Sequence, residues 1–183
     1  MELNKSFLLI LLFFCQLLFA QNKGVENSNY NIQTGLLGVW VNRETKLSNQ
    51  LALRTEVGLD LGYRGGDFVG KTIFALTPKL SIEPRWYYNI LKREGNKKYT
   101  KNNSSNFLTI GFNYYPDWFV IANRDNVSVP NQMTIIPKWG IRRAIAKSNF
   151  NYELGIGLGK KYYFDVEEWE TAADLHIRVG YTF

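Results

Sequence analysis

Cysteine and histidine are almost missing from this sequence, which has one of each in 183 residues. A single cysteine excludes a disulfide framework, and one histidine without cysteine partners excludes the common zinc sites. The length corresponds to about one domain, which excludes a large multidomain enzyme. Long apolar runs are also missing, except for one at the amino terminus.

That amino-terminal run has the pattern of a secretory signal peptide. Lys5 precedes an apolar stretch, residues 7–20, which ends in the small residue Ala20. The stretch is shorter than the ~20 residues that span a bilayer as a helix, so cleavage is favoured over a membrane anchor. A lipid anchor on Cys15 is disfavoured because two phenylalanines precede it. Cleavage removes one acidic and one basic residue, which leaves the net charge at +6 and the mature chain without cysteine.

After residue 21 the sequence alternates between apolar and polar residues over long segments. In residues 51–64, one parity is apolar except for Thr55, and the other carries charged residues or glycine except for Ala52. A period of two is typical of a β-strand with two unlike faces. The same pattern recurs at 74–90, 107–115, 132–142, 150–164 and 173–183, with a less regular segment at 34–42.

Two kinds of barrel fit this pattern: a soluble barrel with the apolar face inside, or a membrane barrel with that face outside. The segments are 9–17 residues long. A tilted membrane strand needs about 9–11 residues, whereas soluble strands average about 5–6. The apolar parity also carries almost no charge, with Lys160 near a strand end as the clear exception. A lysine or arginine there costs about 2–4 kcal/mol at the bilayer midplane, so the pattern favours the membrane barrel.

The polar parity predicts an interior filled with charged side chains, because both signs of charge occur on it. The residues concerned are Arg54, Arg64, Lys79, Arg85, Lys138, Arg142, Lys161 and Arg178, with Glu56, Asp60, Glu83, Glu153 and Asp174. Glycines on the same parity would leave room for large side chains opposite them. The near balance of charge predicts an interior closed by salt bridges. The surplus of basic residues leaves a narrow anion-preferring path as an alternative.

Aromatic residues on the apolar parity lie toward the ends of the segments. They are Tyr63, Trp86, Tyr88, Tyr114, Tyr152, Tyr162 and Tyr181. Membrane barrels carry such girdles at both interfaces, so this placement also favours the membrane barrel.

The last six residues, RVGYTF, form an alternating strand with Tyr181 two positions before the terminal Phe183. This ending resembles the C-terminal strand of bacterial outer-membrane β-barrels, which the barrel-assembly machinery of that membrane reads as an insertion signal. The resemblance covers about residues 34–183. It implies residence in the outer membrane of a Gram-negative cell and contact with its lipids and lipopolysaccharide. It brings no catalytic motif.

We therefore predict an all-β fold: a single antiparallel up-and-down transmembrane β-barrel, most simply of eight strands. The expected organisation is a signal peptide at 1–20, a short periplasmic segment at 21–33 and the barrel at 34–183. Bacterial barrels have even strand numbers, and only seven segments are well marked.

The eighth strand is expected within 68–73, within 118–129 or before Thr34. Pro78 and Pro84 in one segment predict a bulge or a local edge, because proline lacks a backbone donor.

The predicted role is structural, or related to small solutes or surface interactions, with no catalytic, cofactor-binding or metal-binding residues and no cofactor. A lipid-modifying enzyme is the competing hypothesis. His176 lies between Asp174 and Arg178 on the polar parity, which Ser81 and Glu83 share. A serine, histidine and carboxylate together would supply nucleophile, base and orienting acid for lipid A or phospholipid acyl chemistry. A hydrogen-bonded interior histidine is the simpler interpretation.

The connectors at 65–71, 117–131 and 165–171 are expected to project outward if the C-terminus faces the periplasm. Residues 117–131 contain an apolar stretch that would suit a surface partner. Nucleic acid is excluded as a partner on two grounds: exported proteins rarely meet it, and the charges are spread along strands instead of forming a patch.

Overall fold

The computed structural model describes residues 23–64 and 73–183, with the side chains of 63, 64 and 73 left out. The predicted signal peptide, the connector 65–71 and almost all of the candidate strand 68–73 lie outside the described residues.

Eight long strands and one very short strand form a single antiparallel sheet. The strands are β1 Ser28–Gly35, β2 Gly38–Lys46, β3 Leu51–Arg64, β4 Ile73–Trp86, β5 Asn106–Tyr115, β6 Ile121–Ala122, β7 Gln132–Ala144, β8 Phe150–Tyr163 and β9 Glu168–Thr182. A short helix, α1 Ile90–Gly95, and a 3-10 turn, Lys101–Asn103, lie between β4 and β5. Within these described ranges, no helix has the length and apolar character needed to cross a membrane.

The sheet closes on itself because the last strand pairs with the first. The long strands pair in chain order, and β9 pairs antiparallel with β1, with Thr34 opposite Val179. The two-residue strand β6 pairs with Ala75 and Leu76, near the start of β4, and does not belong to the ring of eight. The expected eight-stranded up-and-down barrel is therefore confirmed.

The eighth strand lies before Thr34, one of the three expected places. The irregular segment 34–42 is a hairpin of β1 and β2 around a turn at Leu36 and Leu37. Outward-facing residues are even-numbered in β1 and odd-numbered in β2. Because the parity changes at the turn, the segment shows no continuous alternation, and the two strands are not recognisable as separate strands in the sequence. The barrel thus begins at Ser28, inside the segment expected to precede it.

Strand β4 is shorter than the alternation suggests and ends at Trp86 instead of residue 90. Pro78 lies between the part of β4 that pairs with β5 and the part that pairs with β6, which agrees with the expected local edge. The register of β4 with β5 is the same on both sides of Pro84, so the alternative of a bulge is not realised there.

The polar parity faces the interior and the apolar parity faces outward. Arg54 and Glu153 are 0% exposed, whereas Val57 is 54% and Ile156 is 64% exposed. Gly58 and Gly140 make room inside, as expected, since a Cβ on either would run into the rings of Trp40 and Phe107 respectively.

The strand directions define two ends of the barrel. The termini end carries the start of β1, the end of β9, the turns 47–50 and 145–149, and the segment 87–105. The far end carries the connectors after β1, β3, β5 and β8. We refer to residues 87–105 as the cap.

The barrel interior as candidate functional site

Five buried charged residues form a central network in the half of the interior nearer the termini. Arg142 Nη1 lies 2.9 Å from Glu44 Oε1, and Arg85 Nη1 lies 3.3 Å from the same oxygen. Arg54 Nη1 and Arg85 Nη2 both lie 2.8 Å from Glu153 Oε1. A buried charge without an ion-pair partner is very unfavourable. Because Glu44 and Glu153 each contact more than one arginine, the two carboxylates together provide ion-pair partners for three arginines.

A second layer of ion pairs lies above this network, toward the far end. Lys138 Nζ donates to Glu83 and, at 3.2 Å, to Asp174. Arg178 Nη1 donates to Glu56 Oε2 at 2.6 Å. Lys79 Nζ lies 3.4 Å from Asp60 Oδ2 and 3.7 Å from Glu56 Oε1.

The structure therefore brings together nearly all the charges expected in the interior. The side chain of Arg64 is not among those that the structure describes. Among the described residues, Lys161 is the expected interior charge that does not join the ion pairs. No carboxylate among the described residues lies within 4 Å of Lys161, whose Nζ donates to the hydroxyl of Tyr163 at 2.9 Å.

Glu44 is the central residue that the sequence analysis missed. It is fully buried and contacts all three arginines of the network, with Arg54 at 3.9 Å. Its signal was present in β2, where Trp40, Asn42 and Glu44 alternate with Val39, Val41 and Arg43. The reversed parity at the Leu36–Leu37 turn concealed this alternation.

His176 lies beside a carboxylate, but not in the arrangement that catalysis would need. Its Nε2 lies 2.7 Å from Glu153 Oε1, inside the barrel wall. Ser81 stands opposite Glu56 and Asn113 in the sheet, and its hydroxyl has no hydrogen-bond partner among the described residues. The contacts of His176 and Ser81 do not join them, so the serine, histidine and carboxylate group is not formed.

The cap closes the termini end by hydrogen bonds to the central network. The hydroxyl of Tyr87 donates to both carboxylate oxygens of Glu44, at 3.0 and 2.9 Å, and Asn103 Nδ2 donates to Oε2 at 2.7 Å. Burial and the charge of Glu44 raise the pKa of the Tyr87 phenol, so the group remains a donor. Tyr87 also packs with Ile90 and Phe107 in a small apolar cluster.

The first described residues fasten this cap from outside. The backbone N–H of Gly24 donates to Glu94 Oε2 at 3.0 Å, and that of Glu26 donates to Asn103 Oδ1 at 2.9 Å. In return, the N–H of Asn102 donates to Glu26 Oε1 at 2.8 Å. Residues 24–26, the cap and strand β2 therefore meet at the closed end.

The other half of the interior is a cup of about 400 Å³ that reaches the far rim. Polar residues line it: Asp60, Thr77, Lys79, Tyr115, Lys161 and Asp174. Asp60 accepts hydrogen bonds from Trp40 Nε1 and from the hydroxyl of Tyr115. The guanidinium of Arg178 lies over the Trp40 ring, 3.6 Å from its centroid, and forms part of the wall.

Aromatic side chains gather at both ends of the outer surface. Near the termini, Tyr181 lies 5.1 Å from Phe150 and 5.2 Å from Phe183, centroid to centroid. At the far end, Tyr162 lies 5.2 Å from Phe164 and 5.0 Å from Trp169. Trp169 and Tyr181 belong to one strand, and with about 3.3 Å per residue and a tilt of about 40° their levels differ by roughly 30 Å.

The exposed charges of the loops and turns differ in sign between the two ends, apart from Arg124 at the far end. The termini end carries exposed lysines at Lys23, Lys92, Lys97, Lys98, Lys101 and Lys147. The far end carries exposed acids at Asp117, Asp125, Asp165, Glu167, Glu168 and Glu170. Loops and turns from distant parts of the chain build each patch, which is why strand periodicity does not reveal them.

No family model, curated protein or solved structure matches this chain.

Proposed function

We propose that this protein is an integral outer-membrane β-barrel with a non-conducting interior and a structural or surface-interaction role. The single observation that carries the proposal is the inverted distribution of polarity. Charged side chains lie inside, and an apolar surface lies between two aromatic clusters outside.

The apolar surface supports a lipid environment on energetic grounds. Val57, Ile82, Leu154, Ile156 and Leu175 are all exposed on the outside of the wall. Soluble monomers rarely expose a continuous apolar patch larger than a few hundred Å². A height of roughly 30 Å between the aromatic clusters suits the apolar band of about 25 Å on outer-membrane barrels.

The C-terminal residues support insertion by the assembly machinery of that membrane. Phe183 is 67% exposed and packs edge to face against Tyr181, and its backbone N–H donates to the carbonyl of Tyr30 at 2.9 Å. The terminal phenylalanine therefore stands on the outer surface at the seam between the first and last strands, where another protein can reach it.

The central network and the cap together support a closed interior. An eight-stranded barrel is only wide enough to be filled by side chains. The network fills the half nearer the termini, and Tyr87 and Asn103 join it to the cap. An ion path would have to disrupt buried pairs on Glu44 and Glu153.

Membrane fractionation of the full chain, expressed in a Gram-negative host, tests the location. We expect the protein in the outer-membrane fraction, and we expect anomalous migration in gels unless the sample is boiled. Recovery in the soluble fraction would overturn the proposal.

Site-directed spin labels provide a sharper test, because the mature chain has no cysteine of its own. A label at Ile156→Cys should be accessible to dissolved oxygen, and a label at Gly62→Cys, in the cup, to a water-soluble relaxing agent. The reverse result would describe a soluble barrel and would contradict the proposal.

Planar-bilayer recording and lipid turnover test the alternatives. Steady conductance of the refolded protein would replace the closed interior with the anion-preferring path. Turnover of labelled lipid A or phospholipid that is lost in His176→Ala would instead indicate an enzyme. The central network and the cap lead us to expect no steady conductance. The position of His176 against Glu153, inside the wall, leads us to expect no turnover.

A further inference from the structure

The wall of the barrel is lower on one side than elsewhere. Strands β1 and β2 have 8 and 9 residues, whereas their neighbours β9 and β3 have 15 and 14. The pairing of β1 with β9 stops at Gly35 and Arg178, and that of β2 with β3 stops at Gly38 and Asp60. Beyond these pairs, the N–H of Leu61 donates to the carbonyl of Leu37 at 2.7 Å, and the described parts of β9 and β3 otherwise pair with β8 and β4.

These strand lengths leave a notch in the wall above the hairpin of β1 and β2. Neighbouring strands are ~4.8 Å apart, so three spacings place the facing edges of β9 and β3 about 14 Å from each other. Such a width exceeds that of an extended hydrocarbon chain.

The hairpin tip at the base of the notch is apolar. Leu36 is 72% exposed and Leu37 is 44% exposed. The turn of β8 and β9, which ends at the far rim, instead carries Asp165 and Glu167. Along β9, the tip stands beside Arg178, between Tyr181 at one end and Trp169 at the other. The base of the notch therefore lies at the level of the apolar outer surface.

The cup continues through the notch to the outside. It is lined by inward residues such as Asp60 and His176, and also by Leu37, Leu61 and Leu175. Leu61 and Leu175 belong to the outward parity of the two strands that flank the notch. The opening itself follows from the strand pairing, because no strand among the described residues fills the gap between β9 and β3 above the hairpin.

The polarity of this cavity indicates the kind of ligand it fits. Its outer part is apolar, with leucines at the base and on both flanks. Its inner part is charged, but the charges of Lys79, Asp174 and Arg178 are already neutralised by ion pairs. Lys161 is the cation in the cup without a carboxylate partner among the described residues.

We propose that the cup and notch bind a single-chain anionic amphiphile, with its carboxylate head near Lys161 and its acyl chain extending sideways across Leu37, Leu61 and Leu175. Lateral entry of the chain rests on the proposed lipid exposure of the outer surface. The ligand class is a fatty acid or a comparable carboxylate with one long chain.

The test uses the mature chain refolded in phosphatidylcholine nanodiscs and a fatty acid that carries a photoreactive diazirine on its chain. The yield of cross-linked protein and the modified peptides are measured by mass spectrometry. Unlabelled palmitate and its uncharged methyl ester serve as competitors.

Two variants remove the site, and each has a matched control. Gly62→Leu fills the cup, and its backbone accommodates the change because an added Cβ contacts only the carbonyl of Ala75 at 3.6 Å. Gly95→Leu, on the cap, makes the same substitution where a Cβ meets nothing within 4 Å. Lys161→Gln removes the interior cation, and Lys160→Gln removes the neighbouring cation on the outer face.

We expect saturable cross-links on peptides that contain Leu37, Leu61 or Leu175. Gly62→Leu should lower the yield at least tenfold. Lys161→Gln should weaken binding about threefold to fivefold, as expected for one partly exposed ion pair, and should remove the advantage of palmitate over its methyl ester. The two control variants should behave like the unmodified chain.

Cross-links spread evenly around the outer surface, or a yield unchanged in Gly62→Leu, would overturn the proposal. Such a result in a protein that still fractionates with the outer membrane would leave the proposed function intact. Recovery of the protein in the soluble fraction would instead contradict the proposed function, and with it the lateral entry of the acyl chain from lipid.

Discussion

The two halves of the barrel interior share one polarity but differ in packing. Near the termini, three arginines and two glutamates fill the space, and the cap covers them. Near the far end, residues of the same polar parity, together with leucines at the notch, line a cup of about 400 Å³. Alternation fixes which side chains point inward. The lengths of strands and connectors decide whether those side chains meet or leave a space.

The largest effect is expected from a charge in the closed half. Glu153→Ala removes the carboxylate that Arg54 and Arg85 share, so three buried arginines keep fewer carboxylates, although Arg54 still has Glu56 at 2.6 Å and Arg85 still has Glu83 at 2.7 Å. We expect a loss of about 3–5 kcal/mol in the free energy of unfolding, measured by urea titration in lipid vesicles. Glu170→Ala, at the exposed far rim, is the control and should change it by less than about 0.5 kcal/mol. Equal effects of both substitutions would contradict the contrast between the halves.

Two tyrosines allow a matched comparison, because each donates to a carboxylate in a different half. Tyr87→Phe removes the hydrogen bonds to Glu44 beneath the cap and should cost about 1.5–3 kcal/mol. Tyr115→Phe removes a 3.0 Å bond to Asp60, which keeps Trp40 and Lys79 as partners, and should cost about 1 kcal/mol or less. Unfolding midpoints of the two variants measure the difference, and a larger effect for Tyr115→Phe would refute the interpretation of the cup as the looser half.

Glycines test the same contrast by volume. At Gly140 a Cβ would run into the ring of Phe107, so Gly140→Leu should cost about 1–3 kcal/mol or prevent refolding. At Gly62 the space is open, and Gly62→Leu should leave the unfolding midpoint nearly unchanged. If Gly62→Leu destabilised the barrel as much as Gly140→Leu, the cup would not be open space.

The smallest effect on the fold is expected outside the ring of eight strands. Residues 122–129 contribute little to the sheet: Ala122 pairs with Ala75, and Asn123 exchanges hydrogen bonds with the backbone of Phe74 at 3.2 and 3.0 Å. Their deletion should leave insertion and heat-dependent migration unchanged while it abolishes binding of any surface partner. A failure to insert would show that the β6 pairing is needed for assembly.

Several interior residues were predictable because strand alternation needs no knowledge of neighbours. Arg54, Glu83 and Arg142 are buried where their parity places them. Glu44 was hidden for a local reason, since the turn at Leu36 and Leu37 reverses the parity between two short strands. The contacts of His176 were beyond prediction, because its partner Glu153 lies on the adjacent strand at a height that the register sets.

The cap shows the limit of the sequence most clearly. Residues 87–90 continue the alternation of the preceding segment and residues 92–105 form a long polar connector, so nothing in their order indicates a lid. Tyr87 turns inward where β4 ends, and Glu26 fastens Asn102 and Asn103 from another part of the chain. These contacts depend on the closure of the ring, which brings the first residues beside the connector.

By itself, the sequence determined the two faces of each long strand, because a period of two separates them and polar and apolar groups prefer different surroundings. Only the tertiary structure decided where the wall is complete, which charges share a carboxylate and which end of the barrel is covered. Those features depend on strand register and on connectors that meet across the barrel, and neither is encoded in the order of residues along a single strand.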